Sequence, residues 1–169
     1  MGLTISRILV PVDFSAYSER ALDYAIALAA RLDASLHLLH VVEDPMVTGA
    51  LVPEGVMTDF AELRAELMAD AEQRLLAYRG QAERAGVPVV TAARWGFTSA
   101  TILEYAAGLN IDLVVMGTHG RTGMAHLLMG SVAERVVRQA ACPVLTVRHG
   151  VGGEQQVEPL EHAVVGSRQ

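Results

Sequence analysis

The chain has 169 residues, of which 51% are apolar, and a formal net charge of −6. That length sustains one domain with a sizeable core, and the acidic balance argues against binding to nucleic acid or an anionic membrane, which needs a basic surface. All 13 basic residues are arginine, which excludes mechanisms built on the P-loop lysine, the protein-kinase strand lysine or a Schiff base.

Met1 to Val12 lacks the basic start and small-residue cleavage site of a signal peptide, and no apolar run is long enough to span a membrane. The expected location is the cytoplasm. Ile8-Leu9-Val10-Pro11-Val12 is a continuous apolar run, as in a strand buried on both faces. Ser15 is placed to cap a helix whose apolar face is Leu22, Ala25, Ala29 and Leu32. Leu36 to Val42 reads as the second strand. Its His37 and His40 face opposite sides, which argues against a shared metal site. Residues 43–58, with Pro45, Gly49, Pro53 and Gly55, read as a long loop. Asp59 is the expected cap of a long helix with the stripe Phe60, Leu63, Leu67, Ala71, Leu75, Tyr78 and Ala82, stopped by Gly86. Glu62, Glu66, Asp70 and Arg74 read as its solvated face. Val87 to Arg94 is the third strand, followed by Trp95 and Phe97 as core or rim packing. Thr98 opens a helix ending near Gly108. Ile111 to Met116 is the fourth strand, Ser131 to Ala140 the last helix, and Val144 to Val147 the fifth strand. Cys142, the only cysteine, cannot form an internal disulfide and reads as a small buried hydrophobe. Residues 149–169 lose the pattern and read as a flexible tail after a single domain spanning 1–148.

The alternation implies an α/β fold: one doubly wound, Rossmann-like, five-stranded parallel sheet in the order 3-2-1-4-5, with helices on both faces. In that order the chain reverses direction between strands 1 and 4, and ligands of such sheets bind there, beyond the carboxyl ends of the strands. Pro11, Val12 and Asp13 end strand 1; Gly117 and its loop end strand 4. The run Gly117-Thr118-His119-Gly120, nine residues, then Gly130-Ser131 joins a strand, a glycine loop and a helix start. That combination brings backbone N–H groups and the positive end of a helix dipole to an anion. Asp13, opposite the loop, can accept hydrogen bonds from a ribose hydroxyl or support the helix that follows it. Arg121 is the best arginine for a phosphate contact, with a surface salt bridge equally open. Ser131-Val132-Ala133-Glu134 also reads as a capping box. His119 and His126 read as exposed loop histidines. A Gly-x-Ser-x-Gly elbow, an HExxH motif and a Gly-x-Gly-x-x-Gly fingerprint are all absent.

With these motifs, residues 4–148 resemble the universal stress protein family in its ATP-binding branch. The most specific element is the pattern Gly-x2-Gly-x9-Gly-Ser/Thr, here Gly117, Gly120, Gly130 and Ser131. Asp112-Leu113-Val114-Val115-Met116, Gly120-Arg121-Thr122-Gly123, Cys142-Pro143-Val144-Leu145, Ile8 to Asp13 and Leu38-Leu39-His40-Val41 fit as well. The resemblance implies that Val12, Asp13 and Val41 surround adenine and ribose, with Val41 offering backbone groups to the base. It implies that Met116 and Gly117 lie under the nucleotide, and that Gly120 and the loop after it pass beside ribose and phosphates. Gly130, Ser131 and Val132 would give N–H groups to the phosphates. It further implies Mg²⁺ or Mn²⁺ held mainly by those phosphates, and a homodimer formed through residues 144–148. The function so implied is ATP-dependent regulation in a stress response through an unknown protein partner. A slow ATP hydrolase and a ligand-independent interaction protein stand as alternatives, and a cyclic nucleotide is open as ligand. Asp13 is the only obvious base, and its place at the ribose is far from a terminal phosphate, so efficient hydrolysis is not supported.

Overall fold

The computed structural model describes residues 4–43, 60–119 and 129–148. Strands and helices alternate along them: β1 (Arg7–Pro11), α1 (Ala16–Leu32), β2 (Ser35–Val42), α2 (Phe60–Arg84), β3 (Val89–Trp95), α3 (Thr98–Gly108), β4 (Leu113–Gly117), α4 (Ser131–Gln139) and β5 (Val144–Val147). The strands form one parallel sheet in the order β3-β2-β1-β4-β5, as the alternation predicts. Side chains alternate across it. Ile8, Val10, Leu36 and Leu38 share a core with α1 and α2. Leu9, Leu39, Val114 and Met116 share another with α3 and α4. Cover on both faces explains why the strands read as unbroken apolar runs.

Local chemistry sets the element ends. The Ser15 hydroxyl accepts from the Ser18 N–H at 3.3 Å and caps α1. Asp33 ends that helix in the left-handed region (φ 53°), which aspartate tolerates. Gly86, at φ 74°, turns the chain after α2. The Asp112 carboxylate accepts from the N–H groups of Ser6 and Arg7 at 2.9 and 2.8 Å, fixing the start of β1 beside β4.

Several apolar positions depart from the sequence pattern. Leu32 is 44% exposed, because it lies in the last turn of α1. In α2 only Ala71, Leu75 and Ala82 are buried, while Leu63 and Leu67 are each 37% exposed. The cause is length. At 25 residues α2 runs about 37 Å, against about 23 Å for the seven residues of β3. Its first turns overhang the carboxyl edge of the sheet, where Phe60 meets the half-buried Trp95 ring edge-on. Phe97 is exposed rather than packed. Cys142 is half-buried, and burial pushes its thiol up, away from reactivity. No helix among the described residues is long and apolar enough to cross a membrane. Asp59, the loop 44–58, Gly120, Arg121, Gly123, His126 and the segment 149–169 lie outside the described residues.

His37 and His40 do face opposite sides, each with its own partner. His37 Nδ1 lies 3.2 Å from the Tyr105 hydroxyl. Burial, reinforced by the Arg7 charge, holds the His37 imidazole below its ordinary 6.5. The unfolded chain therefore takes up this proton more readily, so the stability is intact above pH 6.5 and falls as pH drops from there toward the lowered folded value. His37→Gln is expected to flatten that part of the Tm-against-pH curve; an unchanged slope would place the acid sensitivity elsewhere.

Candidate functional site

At the carboxyl edge of the sheet lies a cleft of about 660 Å³, within the range of small-ligand pockets. Pro11, Val12 and Asp13 line it from the end of β1, and Val41 from the end of β2. Met116 and Gly117 line it from β4; Gly130, Ser131 and Val132 form its wall at the start of α4. The switch point thus gathers every described residue that the sequence nominates.

The start of α4 differs in detail from the expected capping box. Gly130, not Ser131, is the N-cap, and its extended backbone (φ −72°, ψ 153°) makes no side-chain cap. Ser131 is the first helical residue. Glu134, the expected capping partner, instead pairs with Arg138 at 3.2 Å. The Gly130 N–H is committed to the Thr118 carbonyl at 2.7 Å, so it is not a donor to the cleft. The first helical hydrogen bond runs from the Glu134 N–H to the Gly130 carbonyl at 2.9 Å. The N–H groups of Ser131, Val132 and Ala133 precede it and have no acceptor within the helix. With the helix dipole behind them, they suit an anion.

Gly117 serves packing. A Cβ there would stand 3.0–3.1 Å from the backbone O and C and the Cβ of Tyr17, so the missing side chain lets α1 close onto β4. His119 is half-buried rather than exposed. Its ring lies 5.5 Å from that of Tyr17, its Nδ1 is 3.0 Å from the Thr118 hydroxyl, and it lines the cleft.

Asp13 supports the helix that follows it and also lines the cleft. One carboxylate oxygen accepts from the Ser15 N–H at 3.1 Å and the Ser15 hydroxyl at 2.6 Å. Beside it Phe14 adopts φ 62°. The Arg74 guanidinium sits 3.9 Å over the Phe14 ring, and the His40 ring lies 4.4 Å away. Asp70 and Arg74 therefore belong to the cleft wall, not to a plain solvated face. With Leu67 and Ala71 they form the side supplied by α2. From α3, Thr98 donates to Glu43 at 2.5 Å and Ile102 adds apolar surface. Sequence reasoning missed Phe14, His40, Arg74 and the α2 wall. The one available signal was the length of the α2 pattern against the short strands.

The family model described as Universal stress protein family matches residues 4–148. The chain belongs to the universal stress protein family. Universal stress protein MJ0531 of Methanocaldococcus jannaschii is 37% identical over 142 residues, covering 84% of this chain and 81% of that protein. The solved structure of MJ0577, a universal stress protein of the same organism, superposes with a TM-score of 0.79 at 28% identity, covering 88% of this chain and 99% of that one. A universal stress protein solved in complex with cAMP aligns with a TM-score of 0.59 at 26% identity, covering 86% and 98%. Strand order and helix layers are therefore those of a universal stress protein, and its cleft lies at the β1/β4 switch point.

Proposed function

We propose that this universal stress protein holds an adenine nucleotide in the switch-point cleft, and that occupancy sets its conformation or its choice of protein partner in a stress response. The observation that carries this reading is the set of N–H groups of Ser131, Val132 and Ala133 at one wall of a cleft that also holds Val41 and Asp13. Phosphates meet the amides and the Ser131 hydroxyl. Ribose meets Asp13, and the base lies by Val12 and Val41 above Met116 and Gly117. The relative in complex with cAMP supports the adenine nucleotide class.

ATP is the ligand the glycine pattern favours. Among the described residues no group of three or more His, Cys, Asp or Glu side chains converges as a metal site. A Mg²⁺ or Mn²⁺ ion fits this cleft as a companion of the phosphates, whose charge it would neutralise. The expected compartment is the cytoplasm. Dimerisation runs through Val144–Val147, because β5 is an edge strand and its Leu145 is 38% exposed; sedimentation as a monomer at micromolar concentration would remove that part.

Mass spectrometry tests the ligand. The protein is incubated with millimolar Mg·ATP, desalted and denatured, and the released nucleotide is counted. Close to one adenine nucleotide per chain supports the reading, and none sinks it. Phosphate release, followed in parallel, separates a sensor from a slow hydrolase.

A further inference from the structure

Resting on the assignment of Asp13 to the sugar of a bound nucleotide, we propose that Arg74 and Phe14 are positioning residues that fix Asp13 and so set the preference for ribose over deoxyribose. Phe14 carries the observation. Its φ of 62° lies in a region that bulky side chains rarely adopt. Such a conformation persists only where the surroundings over-determine it.

The surroundings do so from separate elements. The Arg74 guanidinium of α2 lies 3.9 Å over the ring. The rings of His40 from β2 and Tyr78 from α2 stand 4.4 and 5.6 Å away. His40 and Tyr78 are anchored by hydrogen bonds, and Arg74 faces Asp70 in an exposed pair. Arg74 is 3.8 Å from Asp70, the His40 Nδ1–H donates to the Val12 carbonyl at 2.7 Å, and the Tyr78 hydroxyl donates to Glu19 on α1 at 3.0 Å. The clamp thus grips the chain on both sides of Asp13, at the Val12 carbonyl and at the Phe14 ring.

Burying an aromatic ring does not require a left-handed backbone. What that backbone achieves is the turn that brings Asp13 to the cleft wall while Ser15 caps α1. With one carboxylate oxygen held by Ser15 and the residue after it locked, the carboxylate has little freedom. A group held in this way distinguishes a sugar hydroxyl from its absence, because a preorganised acceptor loses its partner outright.

The test titrates wild type, Arg74→Met, Arg74→Lys and Phe14→Gly with ATP, 2′-deoxy-ATP and 3′-deoxy-ATP. Wild type is expected to prefer ATP over at least one deoxy analogue by about tenfold or more, the size of a hydrogen bond to a charged group. Arg74→Met and Phe14→Gly shrink that ratio below about threefold by weakening ATP more than they weaken the deoxy analogue. Arg74→Lys, which keeps the cation but not the planar stack, falls between. A merely structural role weakens all three nucleotides together and keeps the ratio; that result overturns the proposal, and melting temperatures show whether each variant is folded. A wild type that binds ATP with no preference removes Asp13 from the sugar and the inference with it. A wild type that binds no nucleotide removes the proposed function itself.

Discussion

Ser131→Pro is expected to lower ATP affinity by about 10–100-fold, the value of a lost hydrogen bond to a charged group, while leaving the melting temperature within a few degrees of wild type. Proline suits this position. Ser131 is the first residue of α4, where the fixed proline φ fits the helix and no helical hydrogen bond uses the N–H. Gly130 before it is already extended (ψ 153°), the conformation a residue preceding proline requires. The substitution therefore removes one N–H and one hydroxyl from the cleft and little else. Ser131→Ala removes the hydroxyl alone and is expected to act more weakly. Calorimetric titration with Mg·ATP beside a thermal melt checks both. Unchanged affinity in the proline variant would mean that no anion sits at the start of α4.

Gly117→Val is expected to destabilise the fold by about 3 kcal/mol or more, the upper range for forcing atoms into a packed site. Even a single Cβ would meet the Tyr17 backbone O and C at 3.0–3.1 Å, and backbone yields less readily than a side chain. Denaturant unfolding measures this directly; a midpoint equal to wild type would show that α1 can move off β4 at little cost. The variant is a poor probe of ligand binding, since Gly117 lines the cleft and the substitution also disturbs the packing of α1 on β4. Gly130→Ala is the better probe among the pattern's glycines. Its backbone lies at negative φ, and an added Cβ would make ordinary contact, 3.4 Å from the Thr118 carbonyl oxygen.

Much of this was legible in the residues. Apolar runs of strand length, alternating with helical stripes, imply a parallel sheet covered on both faces, and that sheet is present in the expected order. The switch-point rule then draws together residues far apart in sequence. Asp13, Val41, Gly117 and Ser131 meet in one cleft because each ends a strand or begins a helix at the same edge. Illegible features depend on tertiary geometry. The Gly130 N–H is spent on Thr118, which spacing along the chain does not reveal. Arg74 pairs with Asp70 four residues earlier, like any surface ion pair, and its place in the cleft over the Phe14 ring depends on how α2 packs. The backbone of Phe14 is equally hidden, since an aromatic residue gives no sign of a positive φ. Gly117 announces itself as a glycine, but its reason is the approach of Tyr17.

The most direct test of the central claim is amide NMR of the ¹⁵N-labelled protein titrated with Mg·ATP. The N–H resonances of Ser131, Val132 and Ala133 are predicted to move together with those of Asp13 and Val41, saturating along a single binding curve. Shifts confined to other parts of the chain, or none at millimolar nucleotide, would contradict a nucleotide site at the β1/β4 switch point.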